Sequence, residues 1–288
     1  MSAPLLIIDL PWLLYRSHFA LPSSVRDSDG RRAGALRGSV EAILSLAGPN
    51  GWLQVRAVAA CTGAEDGAYR VEAYPPYHAH RDPMPDELRE QFERAPRLLA
   101  GLGCAVRDGA QLEADDVIFA LARMESEAGG SALIMSADRD LYGAVDASTS
   151  VLELNRGSAP GLIDQAGVIE RSGVRPDQIA DLIALRGDPS DGIPGAKGVG
   201  AKGAAKLLNE YGSLEAALEA AVKGELSGRA ASSLVEQREE LLMFKRIATL
   251  QRPAVEPVPD GALDVLSGAA AAEADGLASF AERLRGLA

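Results

Sequence analysis

The sequence predicts an α/β protein in which a mainly parallel sheet flanked by helices is followed by a helical module. Over the first half of the chain, short aliphatic runs alternate with helical patterns, which is typical of a parallel sheet covered by helices. From about residue 164 the aliphatic runs disappear and helical patterns dominate. We therefore expect an α/β core at 1–160, a helical module at 161–258 and a tail at 259–288, with the boundary near Gly157, Pro160 and Gly161.

The individual elements are predicted in a regular order. Strands are expected at 4–9, 55–61, 104–107 and 132–136, and helices at 35–47, 85–102 and 113–127. Further helical patterns cover 165–172, 176–186, 201–209, 213–222 and 227–250, and an amphipathic stretch at 277–284 predicts a last helix. Because the predicted strands are short and aliphatic, we expect them to be buried in the sheet.

Composition places the chain among ordinary soluble proteins. Its 288 residues, 47% hydrophobic and 24% charged, are enough to bury a substantial core. No apolar run is long enough to span a membrane, and the start lacks the pattern of a secretory signal. Two cysteines, Cys61 and Cys104, do not make a disulfide framework. A cytoplasmic monomer without a membrane partner is expected.

The net charge of −12 argues superficially against a nucleic-acid partner. Affinity for phosphates depends on where the basic residues lie, however, and they concentrate around 70–97 and 186–206. Bound cations would also offset a local cluster of carboxylates. The charge balance therefore permits an enzyme that acts on nucleic acid, without showing one.

Acidic residues recur where apolar runs end, where a helix begins and, for the last two, in a turn rich in glycine and proline. They are Asp9, Glu113, Asp115, Asp116, Asp138, Asp140, Asp188 and Asp191. The carboxyl ends of parallel strands meet at one crevice, where ligands bind in open α/β sheets. So many carboxylates in one crevice cannot all stay ionised unless cations compensate them. The pattern predicts a site for divalent cations such as Mg²⁺, which prefer oxygen ligands.

Two of these acidic sets have a simpler interpretation. Acids at 113–116 suit the first turn of a helix, where they stabilise its dipole. Asp138 and Asp140 suit a turn after a strand. Either interpretation explains one set alone, whereas several sets at strand ends favour metal binding. Zinc is not expected, because the histidines lack helical ligand spacing and both cysteines are remote in sequence.

A glycine-rich stretch at 186–208 predicts an anion site. Gly198 and Gly200 allow a tight turn, and the helix expected from Ala201 would point its first amides at an anion in that turn. Lys202 and Lys206 lie one helical turn apart and suit successive backbone phosphates. The alternative is a helical connector with solvent-facing lysines.

Aromatic and basic residues alternate in a fourth set, Tyr69-Arg70 and Tyr77-His78-Ala79-His80-Arg81. Such alternation suits base stacking and phosphate contact along a single strand of nucleic acid. An exposed, mildly basic loop explains the spacing equally well.

These motifs, in this order, resemble the bacterial 5′-3′ exonuclease and flap endonuclease family, which includes the N-terminal nuclease domain of DNA polymerase I. The resemblance covers about residues 4 to 250 and has the specificity of an ordered set. The matching residues are Asp9 with Tyr15-Arg16, Tyr69-Arg70, the segment Tyr77 to Arg81, Glu113-Ala114-Asp115-Asp116, Asp138 to Leu141, and Gly187-Asp188 leading through Asp191 and Ile193-Pro194-Gly195 to Gly198, Gly200 and Lys202. A free-standing member, without a polymerase, is expected.

The resemblance implies a PIN-like 5′ nuclease core with a helical arch at about 78–98, and a helix-hairpin-helix-like element at 186–208 that grips duplex DNA, with K⁺ as an additional cation there. It implies two or more Mg²⁺ or Mn²⁺ ions held by the eight acids named above, and hydrolysis of DNA phosphodiesters at 5′ ends, flaps or single-strand/duplex junctions, in replication or repair. By the same resemblance Arg70, His78 and Arg81 are catalytic. Arg16, Tyr77, Gly198, Gly200, Lys202 and Lys206 bind DNA.

The chain departs from the family pattern at three positions. Thr62 stands where an aspartate is expected after the second strand, His78 where a lysine is expected in the arch, and Leu10 where a glycine is usual. A lysine carries a constant charge, whereas an imidazole titrates near neutral pH. Reduced activity is therefore expected, and a structure-specific DNA-binding protein with weak or no cleavage is the alternative. A metal-dependent RNA nuclease is a third, disfavoured by the glycine-lysine element.

Overall fold

The fold is a six-stranded sheet in the order β3-β2-β1-β4-β5-β6, and the computed structural model describes residues 3–154 and 159–288. Gly157, part of the predicted domain boundary, lies outside the described residues. The strands are β1 (Leu5–Asp9), β2 (Ala57–Thr62), β3 (Ala105–Asp108), β4 (Ala132–Met135), β5 (Thr149–Glu153) and β6 (Gly161–Ile163). All neighbours pair in parallel except β5 and β6, which are antiparallel. The predicted mainly parallel sheet and its four predicted strands are confirmed.

The two central strands are buried because both of their faces are covered. In β1 every residue is buried, and Ile7 lies in register between Ala59 of β2 and Ile134 of β4. Alternate residues face two separate hydrophobic clusters, with Leu5 and Ile7 in one and Leu6 and Ile8 in the other. The aliphatic run thus encodes a strand that has no solvent-facing side.

Helices surround the sheet and form the second half of the chain. They are α1 (Leu10–Ala20), α2 (Gly34–Ala47), α3 (Ala68–Ala73), α4 (Asp86–Gly101), α5 (Ala114–Glu127), α6 (Gln165–Ser172), α7 (Ile179–Arg186), α8 (Ala201–Tyr211), α9 (Leu214–Lys223), α10 (Arg229–Glu236), α11 (Arg238–Ala248), α12 (Val265–Ala274) and α13 (Ala278–Arg285). Short 3₁₀ turns cover Asp140–Ala144 and Pro176–Gln178. The helical second half is as predicted, whereas α1, α3 and α12 are additional. No helix in the two described ranges combines the length and apolarity needed to cross a membrane.

The prediction of one continuous helix at 227–250 is wrong, because the helix is interrupted at Gln237, between α10 and α11. The Gln237 side chain accepts hydrogen bonds from the Lys197 amide at 2.8 Å and from the Ser233 hydroxyl at 2.8 Å. Gln237 therefore connects this break to the loop at 187–200 that joins α7 to α8. These last two helices pack against each other, so the glycine-rich stretch lies within a helix-loop-helix.

The C-terminal hairpin, α12 and α13, returns to the α/β core. The two helices pack on each other, and α12 packs on α4. Asp275, which lies between them, is 4% exposed and forms ion pairs with Arg94 and Arg97 of α4. Arg94 also pairs with Asp27 at 3.0 Å. The predicted last helix, α13, is confirmed. Together with α12 and Asp275, it holds α4 in place against the core.

Candidate active site

The sheet order creates a crevice at the carboxyl ends of β1 and β4, where the winding of the sheet changes direction. Asp9 ends β1 and caps α1, because its Oδ1 accepts a hydrogen bond from the Trp12 amide at 3.1 Å. Its Oδ2 accepts one from the hydroxyl of Ser136, just past β4, at 2.6 Å. The two central strands are therefore joined at the floor of the crevice.

A cleft of about 890 Å³ opens above this floor, and six of the eight predicted acids line it. They are Asp9, Glu113, Asp115, Asp138, Asp140 and Asp191. Arg70, His78 and Arg81, predicted as catalytic, line the same cleft. Residues from five separate parts of the chain thus meet here, and the acids do so as the strand-end pattern predicts.

The acids at the floor repel one another. Burial raises the pKa of Asp9 from 3.8 to about 6, against the lowering effect of its hydrogen bonds to Ser136 and Trp12, and Asp138 adds to the rise. The pKa values of Asp115 and Asp140 lie well above the ordinary range, first because of burial and then because of Asp138. Negative charge is therefore costly here unless a cation compensates it.

Asp138 takes part in a turn as well as in the cleft. Its amide donates to the Ser136 hydroxyl at 3.0 Å, and its Oδ1 accepts from the Asp140 amide at 2.9 Å. Desolvation and the facing Asp191 and Asp188 carboxylates raise its pKa. Asp138 is exposed at the mouth of the cleft, so solvent screens the repulsion from these carboxylates more strongly at Asp138 than at the buried acids. The turn interpretation and the cleft interpretation therefore both describe this residue.

Glu113, the residue that precedes α5, and Asp116 in the first turn of α5 face different neighbours. Glu113 Oε1 accepts from the Gly67 amide at 2.7 Å, and its Oε2 from the Tyr77 hydroxyl at 3.2 Å. Asp116 is fully buried. Its carboxylate accepts hydrogen bonds from both Arg70 Nη atoms, at 2.8 and 3.0 Å, and from the Gln251 amide at 2.7 Å. Asp116 does not line the cleft, so here it holds Arg70 in place.

Asp188 and Asp191 also differ in their surroundings. Asp188 does not line the cleft, and its Oδ1 accepts from the Ser190 amide at 2.9 Å while Arg186 lies at 3.2 Å from its Oδ2. Asp191 faces the cleft, where its Oδ1 lies 3.0 Å from Arg81 Nη2 and 3.1 Å from His78 Nε2. The loop after α7 thus contributes one acid directly and one behind it.

His78 lies between two carboxylates. Its Nδ1 is 2.6 Å from Asp66 Oδ1, and its Nε2 is 3.1 Å from Asp191 Oδ1. The ring is stacked on Tyr77, with centroids 3.8 Å apart, and the backbone has a φ of 56°. Asp66 was not predicted, because its only signal in the sequence is its charge.

The aromatic and basic set is buried in part, and only Ala79, His80 and Arg81 at its end are exposed. Arg70 is 3% exposed and Tyr77 is 5% exposed, and Arg70 Nε also donates to the Ile247 carbonyl at 2.9 Å. Arg81 is the exposed arginine of the set that lines the cleft, and it donates hydrogen bonds to Asp191 and to the Ser190 carbonyl. A cation that is free to contact a substrate is therefore found at Arg81, whereas Arg70 is fixed by buried partners.

The predicted DNA-binding residues outside this set do not line the cleft. Gly198 has a φ of +80°, a backbone conformation that favours glycine, and Gly200 caps the start of α8. Lys202 and Lys206 are exposed on that helix. The Arg16 guanidinium lies over the Trp12 ring, 5.8 Å from its centroid.

The end of β2 presents a threonine, not a carboxylate, to the cleft. Thr62 lines the cleft with a hydroxyl. At the next residue, Gly63, an added Cβ would lie 2.2 Å from the Leu112 carbonyl oxygen. A side chain at 63 would therefore require the backbone before α5 to move.

The acids suit hard divalent cations by the chemistry of their donors, which are all carboxylate oxygens made basic by burial and mutual repulsion. Within 3–154 and 159–288, no three histidine, cysteine or acidic side chains converge closely enough to enclose an ion by themselves. Mg²⁺ commonly takes one or two carboxylates and keeps several waters, so such a set of separate acids suits it.

Comparison with protein families matches residues 4–264 of the chain. Residues 4–173 match the family model described as 5′-3′ exonuclease, N-terminal resolvase-like domain. Residues 174–264 match the model described as 5′-3′ exonuclease, C-terminal SAM fold. The division between the two models falls after α6, later than the boundary predicted from glycine and proline.

Curated relatives of similar length are named 5′-3′ exonuclease. One from Streptomyces coelicolor is 35% identical over 273 residues, covering 88% of each chain, and one from Mycobacterium tuberculosis is 36% identical over 245 residues, covering 77% of this chain and 74% of the relative. The thermostable DNA polymerase I of Thermus thermophilus is 37% identical over 210 residues, but this chain spans only 24% of its length.

Solved structures share the fold at low identity. T5 5′-exonuclease, described with bound divalent zinc ions, has a TM-score of 0.68 at 18% identity and 99% coverage of both chains. The catalytic core of Rad2 in complex with DNA substrate has a TM-score of 0.64 at 14% identity, covering 99% of this chain and 91% of that one.

Proposed function

The chain belongs to the 5′-3′ exonuclease family, and we propose that it hydrolyses DNA at 5′ ends, flaps and single-strand/duplex junctions with divalent metal ions. It is a nuclease, a hydrolase of phosphodiester bonds. The observation that carries the finer proposal is the cleft, in which six carboxylates from distant parts of the chain face Arg81 and His78. Such a site fits a phosphodiester, because it offers ligands for cations and cations for phosphate.

The metal ligands of the proposal are the six acids that line the cleft. Mg²⁺ or Mn²⁺ ions held there would activate water and stabilise the leaving oxygen. Asp116 and Asp188 support this set from behind, because each carboxylate already has protein partners. Their proposed contribution is to hold Arg70 and the loop that carries Asp191.

The cationic side of the cleft orients the phosphate. Arg81 is exposed and reaches over Asp191, so it can donate to a phosphate oxygen near the scissile bond. His78 is held in the same place by Asp66 and Asp191. Arg70 contributes positive charge to the cleft wall while its hydrogen bonds stay with Asp116 and Ile247. Tyr77 supports His78 by stacking and Glu113 by its hydroxyl.

Duplex DNA is proposed to bind at the helix-loop-helix of α7 and α8. The first amides of α8, behind Gly198 and Gly200, suit a backbone phosphate, and Lys202 and Lys206 suit the next ones along. A K⁺ ion at this element is part of the same proposal. Arg16, which lies outside the cleft with its guanidinium over the Trp12 ring, would contact the DNA strand near α1.

The substrate path is proposed to pass the segment at about 78–98. This segment contains the end of the loop that carries His78 and most of α4. We propose that residues 1–160 form the core with the arch. Residues 161–258 form the DNA-binding module, and residues 259–288 form the tail. The bracing of α4 by α12 supports an arch whose base is fixed.

A slower enzyme is proposed because of Thr62 and His78. Thr62 provides a hydroxyl where a carboxylate would add charge to the metal shell. His78 shares its ring nitrogens with two carboxylates, so it offers less positive charge to a phosphate than a free lysine would. A DNA-binding protein with weak or no cleavage is the second candidate, favoured by these same two positions.

Cleavage of a 5′-flap duplex tests the proposal. We expect cutting with Mg²⁺ or Mn²⁺, loss of cutting with EDTA, and loss in the Asp138→Ala variant, which keeps the buried floor intact. A tight gel shift with uncut substrate at stoichiometric protein would instead establish the DNA-binding alternative. A single-stranded RNA of the same sequence serves as the control substrate.

A further inference from the structure

Gln237 is a buried glutamine at the junction of α10 and α11, and its side chain contacts a distant loop. It is 7% exposed. Its amide donates to the Ser233 carbonyl at 2.9 Å, and its carbonyl accepts from the Leu241 amide at 2.9 Å, so the backbone joins the two helices. Although Gln237 is the N-cap of α11, its side chain does not cap that helix. The side chain instead reaches Lys197, which lies 40 positions earlier.

The two ends of the Gln237 side chain have different partners. Oε1 accepts from the Lys197 amide at 2.8 Å and from the Ser233 hydroxyl at 2.8 Å. Nε2 donates to Glu240 Oε2 at 3.2 Å. Because a backbone amide can only donate, the contact with Lys197 determines which end of the side chain faces the loop. Glu240 matches this orientation at the other end.

The contact with Lys197 fixes the beginning of the glycine turn. One residue earlier, the Ala196 amide donates to the Leu185 carbonyl of α7 at 2.9 Å, and the Ala196 carbonyl accepts from the Val199 amide at 3.0 Å. The turn is therefore attached to α7 at Ala196 and to the junction of α10 and α11 at Lys197. Two neighbouring residues thus connect it to two separate helical pairs.

A groove of about 650 Å³ lies at this connection. It is lined by the loop at 194–200 together with Gln237 and Glu240. Gly198 and Gly200, which lie in the turn proposed to receive a backbone phosphate, are exposed. The phosphate-binding turn and the side chain that holds it therefore line the same groove.

We infer that Gln237 is a positioning residue for duplex binding, which acts through the Lys197 amide on the turn before α8. This inference rests on the proposed function. A turn with several glycines has wide conformational freedom, and a phosphate can bind it only if that freedom is lost. Gln237 removes part of the freedom before DNA arrives, so binding costs less. The position requires a hydrogen-bond acceptor for the Lys197 amide and a partner that suits Glu240.

Removal of the acceptor tests the inference. In Gln237→Leu we expect the Kd for a labelled blunt duplex, measured by fluorescence anisotropy in EDTA, to rise about fivefold to 100-fold, the range for a buried donor left without its partner. KM for flap cleavage should rise by a similar factor. The single-turnover rate at saturating substrate should change little, because the acidic cleft is untouched.

Gln178→Leu is the matched control. Gln178 is 1% exposed, and its Nε2 donates to the Leu208 and Gly212 carbonyls, at 3.0 and 2.9 Å, at the far end of α8. Each variant removes a buried glutamine from the same module, so both should lower Tm. At a temperature where both are folded, duplex binding should weaken in Gln237→Leu and stay near the wild-type value in Gln178→Leu. An equal loss in both would show general destabilisation and would overturn the inference.

An exchange of the two side chains keeps the test decisive if Gln237→Leu fails to fold. Gln237→Glu keeps an acceptor for Lys197 but places a second carboxylate beside Glu240, so duplex affinity should fall. In the double variant Gln237→Glu/Glu240→Gln, the amide donor lies at position 240 and the net charge is that of the wild type. All three hydrogen bonds can then form, and wild-type affinity should return.

Hydrogen exchange of the Lys197 amide measures the same contact without DNA. We expect faster exchange in Gln237→Glu and a return to the wild-type rate in the double variant. A double variant that binds duplex no better than Gln237→Glu would overturn the inference.

These measurements separate the inference from the proposed function, because neither of them depends on cleavage. Equal duplex affinity of the wild type and Gln237→Leu would overturn the inference and leave the nuclease proposal intact. A wild type that leaves the flap uncut, but whose duplex affinity changes with Gln237 as described, would support the inference and count against the nuclease proposal.

Discussion

At the scale of single residues, His78 depends on neighbours that lie far away in the sequence. Asp66 holds one ring nitrogen, Asp191 lies at the other, and Tyr77 stacks on the face. A φ of 56° is uncommon for a residue with a side chain and persists only where surrounding contacts fix it. The position of the imidazole is therefore set by the fold and not by its own segment.

Loss of the Asp66 carboxylate should lower catalysis more than binding. In Asp66→Asn the hydrogen bond to Nδ1 is weakened and the ring is free to turn away from Asp191. We expect kcat on a 5′-flap duplex to fall about tenfold to 100-fold, the effect of a small misplacement at a reacting centre, with little change in KM. Glu65→Gln, at the adjacent cleft position, is the matched control. A fall of the same size in both variants would show that overall charge matters and the contact with His78 does not.

Substitution of His78 by lysine should raise the rate at neutral pH. A lysine at this position would present a constant positive charge to the phosphate, with Asp66 and Asp191 as counter-charges. The measurement is the single-turnover rate of flap cleavage at pH 7.5 for the wild type and His78→Lys. An unchanged or lower rate would mean that the histidine with its two carboxylates is the better arrangement.

The chemistry of the site was predictable wherever an acid follows a strand. Asp9 and Asp138 follow aliphatic runs, and parallel pairing of those runs brings both to one edge. The partners of these acids were not predictable, because they are chosen by tertiary packing. Asp116 looks like its neighbour Asp115 in sequence, yet it is buried against Arg70, which lies 46 positions earlier.

At the scale of elements, α8 is the part of the proposed DNA grip that is easiest to test. Lys202→Ala and Lys206→Ala should each weaken duplex binding and reduce the slope of log K against log salt by about 0.9, the value for one lost phosphate contact. Fluorescence anisotropy between about 50 and 200 mM salt gives this slope. Lys223→Ala is the control, because Lys223 is a 63% exposed lysine at the end of the neighbouring α9. If Lys223→Ala reduced the salt slope by the same amount, the proposal that α8 contacts backbone phosphates would be wrong.

The elements themselves were predictable where the pattern of apolar residues is strong. β1 and β4 are uninterrupted aliphatic runs, and the predicted bounds of α2, α4 and α5 are within one or two residues of those observed. β5 was missed because Thr149 and Ser150 dilute its apolar character. α12 was missed because its alanine-rich sequence has no clear apolar stripe, and its face is defined only by packing on α4.

At the scale of the whole molecule, the acid cluster links stability to pH and to metal ions. The folded protein holds protons on Asp9 up to about pH 6, whereas the ordinary value is 3.8, and Asp115 and Asp140 are raised as well. Between these values the folded state binds more protons than the unfolded state, so the free energy of unfolding falls as pH rises through this window. Divalent ions favour the ionised carboxylates and should reverse the loss.

Removal of one of these charges should therefore stabilise the metal-free protein only at higher pH. With EDTA present, we expect Asp115→Asn to raise Tm by ~3 °C or more at pH 7.5, with little gain at pH 5. With Mg²⁺ at pH 7.5 the wild type should regain stability and the variant should gain less. Thermal denaturation in both conditions measures this, and a pH-independent difference between the two proteins would contradict the account.

The residues that line the cleft come from positions far apart in the sequence, and this has a consequence for protein synthesis. The floor begins at Asp9, but its last acid is Asp191, and the loop that carries it is held between α7 and α8. While the ribosome is still translating the first two thirds of the protein, the nascent chain has only part of the proposed cutting site. Since domains fold as units once their residues have emerged, the nuclease should become competent late, near release.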